Sequence, residues 1–295
     1  MKVRVVAQFC TWSLGLFLAC PPQVGWTSPA LALPQSAIAT AVASPDGETI
    51  LRSLQTADVV YLGETHDDPR DHEAQLQILR SLHENNPKIA IAMEMFQRPY
   101  QDVMDRYLAG EISETQLVRD SEYMERWGFP WEYYGPIVRF ARENGLPVLA
   151  ANTPTEVTRR VAKSGLESLE TEDKKYIPPL AEIDTDNEGY RQMLLEVFRQ
   201  HQHGTGDGFD RFVEAQVLWD ETMAEAIAEF LAANPDYQVV VIVGQGHVVY
   251  GYGIPSRVER RLGDRDFVQR SVLFQSPDEA PISTEDAMAD FLWKH

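Results

Sequence analysis

Val59-Val60-Tyr61-Leu62, running into Gly63-Glu64-Thr65-His66, is the stretch whose reading decides the fold. Four apolar residues in a row read as a strand buried on both faces, and the polar end of that strand opens on a glycine. An apolar run ending in a polar cluster recurs three times, once more with glycine ahead of the polar side chain. Ile89-Ala90-Ile91-Ala92 runs into Met93-Glu94-Met95-Phe96, Val148-Leu149-Ala150 into Ala151-Asn152-Thr153-Pro154, and Val239 to Val243 into Gly244-Gln245-Gly246-His247. Helical segments separate the runs, and crossover helices are what cover both faces of a parallel sheet. The fold class read from this pattern is α/β, a central, mainly parallel sheet with flanking helices and helical cap insertions. Ligands of such sheets sit outside the carboxyl ends of the strands. Glu64, His66, Glu94 and His247 are therefore expected at a common rim.

Leu76, Leu79 and Leu82 recur at helical spacing and predict a helix over 72–85. Residues 99–108 read as a further helix, Ser113 to Gln116 as a capping box, and 136–143 as a helix stopped by Asn144-Gly145. Later helices are expected over 156–162, 188–200 and 210–233, and a last strand over 268–274. The charged stretch 165–186, with Pro178-Pro179, reads as an insertion. Helical stretches over 96–146 and 155–235 are the expected caps above the strand ends.

Residues 1–32 carry the order of a secretory signal: Lys2 and Arg4, an apolar run from Val5 to Ala19, then Ala30-Leu31-Ala32. Cleavage after Ala32 is the preferred expectation; the rival is lipidation at Cys20, for which Phe17 and Leu18 are a poor match. Residues 33–47, rich in Ala, Ser and Pro, read as a flexible tether, and 48–295 as a single α/β domain. The expected location is exported, periplasmic or outer-membrane-associated, with membrane attachment only through Cys20. Both cysteines, Cys10 and Cys20, fall in the signal, which leaves the domain without disulfides, thiolate metal ligands or cysteine nucleophiles. A formal charge of −19 repels polynucleotides and argues against nucleic acid as a partner.

The polar strand ends admit two chemistries. Imidazoles and carboxylates at Glu64, His66, Glu94 and His247 suit one divalent metal ion, or a general base, His66, oriented by a carboxylate. The plainer readings are a cap by Thr65 or Asp67 on the following helix, a salt bridge from Glu94 to Arg98, and a structural turn at Gly244. Alternation places Glu94 on the face of Ala92 and Phe96. His72 and Glu73 are positioned to return towards the rim from the helix start. Tyr133, Tyr134, Tyr250, Tyr252 and His203 are the side chains able to ligate haem iron, amid aromatic residues suited to a porphyrin face. No Gly-x-Ser-x-Gly elbow occurs, so serine-triad hydrolysis lacks support.

Several stretches together resemble a known family. They are Tyr61 to His66 with His72 and Gln75, Met93 to Phe96 with Gln101, Trp131 to Tyr134, and Ala151 to Pro154. Further on come Ala215-Gln216 with Trp219 to Ala224, and Gly244 to His247 through Gly253 to Arg257. In this order they resemble the ChaN-like haem-binding uptake family, grouped with the TIKI, TraB and erythromycin-esterase proteins. The resemblance implies an exported haem-binding protein of bacterial iron metabolism, with haem or another small ligand as partner and dimerisation around paired haems in the namesake. It also implies the constellation Glu64, His66, Glu94 and His247, which in relatives supports hydrolysis of esters or peptides, with metal in some and without it in others. The haem-ligating tyrosine stays open among the four named above.

Overall fold

The structure, a computed structural model, describes residues 46–201, 207–263, 266–275 and 288–294. The expected signal over 1–32, nearly all of the tether, Cys20 and His203 lie outside the described residues. Strands β1 (Val59–Glu64), β2 (Ile89–Gln97), β3 (Val148–Asn152), β4 (Gln238–Gly244), β5 (Gln269–Gln275) and β6 (Phe291–Lys294) form one sheet in the order β3-β2-β4-β1-β5-β6. Every pairing is parallel. The class is thus the α/β arrangement expected from the four apolar runs. Strand β6 is the addition: its four residues at the sheet edge are mostly half-exposed and give too short an apolar run to stand out.

The late strand β4 inserts between β1 and β2, pairing Val59 with Val239 on one side and Ala90 with Val239 on the other. Three polar strand ends therefore lie side by side, and Glu64 stands level with Gly244. This order, more than any single strand, positions the site.

Alternation along β1 divides the interior. Val60 and Leu62 face a core built with helices α1 (Gly47–Leu54), α2 (Pro69–Asn85), α3 (Gln101–Leu108), α4 (Glu114–Asp120), α5 (Tyr123–Arg126) and α6 (Trp131–Asn144). Val59 and Tyr61 face a second core built with α8 (Glu188–His201), α9 (Asp207–Ala233) and α10 (Ile254–Leu262). Each fully buried Leu, Ile or Val in these layers contributes ~1.5–3 kcal/mol, so both sheet faces are firmly held. Helix α7 (Thr155–Ser164) packs through Val157 and Val161 against Ala215 and Leu218 of α9.

Local chemistry explains the boundaries. Helix α1 starts inside the stretch read as tether, because Asp46 accepts from the Thr49 amide and Ile50 and Leu54 are buried. Asp68, rather than Thr65 or Asp67, caps α2. The capping box at Ser113 and Gln116 forms at the start of α4, and Gly145 stops α6 in the left-handed region at φ 65°. Helix α6 begins at Trp131, earlier than Pro136 suggests, with that proline inside it. The charged stretch 165–186 folds into short 3₁₀ turns. Among the described residues, no helix is long and apolar enough to cross a membrane.

One alternation fails. The register of β2 shifts between Met93 and Gln97, so Phe96 joins Met93 and Met95 in the α2–α6 core rather than sharing the face of Glu94. Arg98 is not the partner of Glu94 either, since its guanidinium pairs with Glu225 and Glu229 of α9.

Candidate functional site

Glu64 ends β1 on the α2–α6 side of the sheet, fully enclosed. Four groups face its carboxylate. Tyr134 Oη donates to Oε1 at 2.5 Å, and His66 Nδ1 approaches the same oxygen at 2.8 Å. Gln75 Nε2 donates to Oε2 at 2.8 Å, and His72 Nδ1 lies 3.4 Å from that oxygen. Gln75 spends its other amide proton on the Leu62 carbonyl, so its own oxygen, 3.3 Å away, faces His72 Nδ1. The far nitrogen of His72 meets the His66 carbonyl at 3.2 Å. Both nitrogens of His72 therefore face acceptors, an arrangement that favours the imidazolium. Burial works against that charge and is outweighed by Glu64, leaving the His72 pKa raised. Burial likewise pushes the Glu64 pKa up, but His72 and His66 overcome it and hold the carboxyl well below its ordinary range.

Glu94 occupies the other side. Its Oε2 accepts from the Gly244 amide at 2.8 Å, and its Oε1 lies 3.4 Å from His247 Nε2. The opposite nitrogen of His247 is 2.6 Å from Asp220 Oδ1, and Tyr190 Oη donates to Asp220 Oδ2 at 2.5 Å. Burial alone lowers the His247 pKa; the flanking Glu94 and Asp220 carboxylates raise it well above the usual value. For Glu94, burial raises the pKa and His247 outweighs it, with His66 and the Gly244 amide adding to the net lowering.

The two networks meet at Gly244. A Cβ there would lie 2.7 Å from His66 Cε1 and 2.9 Å from Nε2, so the imidazole occupies space that only glycine leaves open. His66 is held at Nδ1 by Glu64 and turns its Cε1–Nε2 edge to Gly244 at the end of β4. Its pKa is raised: burial lowers it, but the bond to Glu64 and the nearby Glu94 charge prevail. Trp127 and Phe129 roof the ring at centroid distances of 4.9 and 5.2 Å. The adjoining cleft is lined by Glu94, Arg126, Trp127, Phe129, Thr153 and Trp219, among others, and has a volume of ≈ 30 Å³.

Glu64, His66, Glu94 and His247 are thus brought to one rim, Glu64 from the end of β1 and His66 just after it, Glu94 from β2 and His247 from the turn that follows β4. Their expected arrangement around a metal ion is not what the structure holds. Among the described residues no group of three His, Cys, Asp or Glu side chains is disposed to grip a metal ion. The physical reason is pairing: His66 Nδ1 is turned to Glu64, and both nitrogens of His247 are turned to carboxylates.

The tyrosines are not brought together. Tyr134 is buried and bonded to Glu64, and burial together with that charge pushes its phenol pKa far up, so the expectation that it offers a tyrosinate to haem iron is corrected. Tyr133, its neighbour, is half-buried and stacks on His72 at 4.7 Å. Tyr250 and Tyr252 pack on each other at 5.5 Å in the other core, across the sheet. His72 does return to the rim, while Glu73 is exposed.

Asp220 and Tyr190 are the participants not anticipated by role. A signal for Asp220 exists: Asp220-Glu221 interrupts an otherwise apolar stretch of α9, and acids on an enclosed helix face require partners. The two diverge, Asp220 to His247 and Glu221 to Arg257, Arg260 and Arg261 of α10. Tyr190 gives no such signal.

The model of the family described as haem-binding uptake, Tiki superfamily, ChaN matches residues 50–258. The solved structure of ChaN of Campylobacter jejuni, described as showing cofacial heme binding, has a TM-score of 0.66 at 19% identity, over 84% of this chain and 91% of that one. At that identity the likeness shows the fold. RETICULATA-RELATED 5, a chloroplastic protein of Arabidopsis thaliana, is 28% identical over 265 residues, which cover 84% of this chain and 35% of that protein. The chain therefore spans about a third of that curated relative's length (35%). A family match running from α1 into α10, over all the strands that carry the site, identifies the chain as a member of the haem-binding uptake family of the Tiki superfamily, the ChaN family.

Proposed function

We propose that this protein binds haem outside the cytoplasm and serves in its storage or transfer. The family match over residues 50–258 is the observation that carries the reading. The sheet-edge cleft, at ≈ 30 Å³, does not fit a macrocycle, since cofactor sites run to ~300–1,000 Å³. A better fit is the groove of ≈ 430 Å³ beside β5, lined by Tyr61, Tyr250, Arg270 and Met288 among others. Tyr250 there has φ 57°, a left-handed backbone that an aromatic residue adopts only when its surroundings impose it. Tyr250 would ligate the iron, Met288 and Tyr61 would cover ring carbon, and Arg270 would pair with a propionate. Bound haem supplies an iron centre with an open ligand position; the protein supplies the phenol, the apolar wall and the guanidinium. Titration of the described domain with haemin tests this: a saturable Soret shift at stoichiometric haem is expected, retained in Tyr133→Phe and weakened at least tenfold in Tyr250→Phe. An absent shift ends the haem reading, and an unchanged Tyr250→Phe moves the site elsewhere.

A second reading is favoured by one feature, the His66 imidazole held at Nδ1 by Glu64 beside Glu94. Such a ring suits general-base catalysis of ester or peptide hydrolysis without metal. His66 would take a proton from water, and Glu64 would stabilise the imidazolium. His66→Ala is expected to lower hydrolysis of a panel of short esters by about 10²–10⁴-fold. Turnover that survives this change at wild-type rate excludes the base.

A further inference from the structure

Between α4 and α6, residues 122–129 lie across the mouth of the cleft, and they are joined to the protein in an unusual way. The backbone hydrogen bonds from the amides of 125–128 end on Glu122 or Tyr123, within the segment itself. Left-handed residues flank its helical turn, Glu122 at φ 53° and Gly128 at φ 83°. The first is a non-glycine residue and so a point of stored backbone strain. Tyr123 is buried in the core and anchors one end. Met124, next to it, is 49% exposed, the outer side of the turn being free.

Side chains do the holding beyond that anchor. Arg126 Nε donates to Glu122 and Nη1 to Gln97 at 2.9 Å each. Its guanidinium also pairs with Glu156 of α7 at 3.0 Å and lies 4.9 Å over the Tyr100 ring. One residue thus ties the segment to the end of β2, to the turn before α3 and to α7 on the far side of the opening. The guanidinium is 17% exposed while the carboxylates of Glu122 and Glu156 are 52% and 64% exposed. Ion pairs with such wet partners are weak and screened by salt. Beneath the segment, Trp127 and Phe129 seal His66, whose side chain is only 16% exposed.

We propose that residues 122–129 form a lid over the His66–Glu94 cleft, latched by Arg126, which pivots at Glu122 and Gly128 to admit a ligand. The adjoining cleft of ≈ 30 Å³ holds no more than a water or two, so a larger ligand enters the space between Glu94, Trp127 and Phe129, beside the partly exposed His66, only if the segment moves. The inference is independent of whether haem binding or hydrolysis is the activity.

Two measurements on the intact protein test it. Carbethoxylation of histidines by diethyl pyrocarbonate, mapped by peptide mass spectrometry, reports access to His66. His72 and His247, enclosed on opposite sheet faces, serve as internal controls. Arg126→Gln is expected to raise the His66 rate about fivefold, the scale of a partly exposed ion-pair cluster, and to leave both controls unreactive. Glu156→Gln is expected to give about half that increase on a logarithmic scale. In the wild type, the His66 carbethoxylation rate is expected to rise about twofold between 0.05 and 1 M salt, with both controls unreactive. The proposal is overturned by a His66 rate unaltered in Arg126→Gln, or by His72 and His247 reacting along with His66. Should Arg126→Gln not fold, a salt-insensitive His66 rate in the wild type overturns it in the same way.

Discussion

Glu64 and Glu94 lie on β1 and β2, the two strands that flank β4, yet their charges are met by opposite arithmetic. On the Glu64 side one carboxylate faces two imidazoles, an amide and a phenol. On the Glu94 side two carboxylates share the single imidazole of His247. The first is rich in donors and the second rich in negative charge, so neither is balanced alone when fully ionised. His66 stands at the join, bonded to Glu64 and electrostatically coupled to Glu94. The contrast teaches that His247 is the counter-charge its surroundings cannot replace, whereas His66 is one donor among several and is the histidine with an edge left for chemistry.

Removing each histidine breaks the comparison most directly. His247→Ala leaves Glu94 and Asp220 enclosed without a cation, and removal of one partner from a buried pair costs about 3–5 kcal/mol. His66→Ala leaves Glu64 with three of its four donors and is expected to cost about 1–2 kcal/mol. Urea unfolding of both variants measures the difference, and equal losses would refute the asymmetry. Titration of the wild type gives the same comparison without mutation. A raised His247 pKa contributes stability present below the ordinary 6.5 and lost as pH rises through the folded value. The lowered Glu64 pKa contributes stability present above 4.5 and lost as pH falls through its folded value. Stability is expected to decline on both limbs, and His247→Ala should make the alkaline limb shallower, leaving the share of His66 and His72, while keeping the Glu64 share of the acid one.

Gly244→Ala probes the join. The new Cβ collides with the His66 ring, which must leave its bond to Glu64 or push β4 aside. A cost of about 1–3 kcal/mol is expected, typical of overpacking, together with a fall in the His66 pKa read by NMR. If the His66 pKa stays raised, the close approach is not what holds the ring.

Much of this was legible before any coordinates. Four apolar runs, each ending in polar residues, suffice for a parallel sheet with its acids and imidazoles at one edge, because strand burial and ligand placement follow from crossover geometry. What escaped has physical causes. The Asp220–His247 contact depends on which face of α9 turns inward over a long helix that is mostly apolar, and periodicity does not resolve that. Phe96 changed face because a register shift leaves no mark in composition. Tyr134 and Tyr133 are adjacent and chemically identical, yet one helical step sends the first to Glu64 and leaves the second stacked on His72. The insertion of β4 between β1 and β2 is likewise a property of the assembled sheet.

The smallest expected effects sharpen the contrast furthest. Tyr134 and Tyr190 are both buried phenols donating at 2.5 Å to a carboxylate, one on each network. Local chemistry alone makes their loss equivalent, at ~1.5–3 kcal/mol for a hydrogen bond to a charged group. The surroundings say otherwise. Glu64 keeps His66, His72 and Gln75 when Tyr134→Phe removes one donor, and the enclosed oxygen remains paired with His66. Tyr190→Phe takes the donor from Asp220 Oδ2, leaving the carboxylate dependent on the His247 that Glu94 also uses. Tyr190→Phe should therefore cost the more by about 1 kcal/mol, a gap that paired urea titrations resolve. Tyr190→Phe should also move the His247 share of the alkaline limb, since an Asp220 with fewer donors draws harder on His247, whereas Tyr134→Phe acts on that limb only through His66 and His72. Equal losses, or a His247 pKa that moves in Tyr134→Phe, would mean that the two faces of the sheet share one charge balance instead of two.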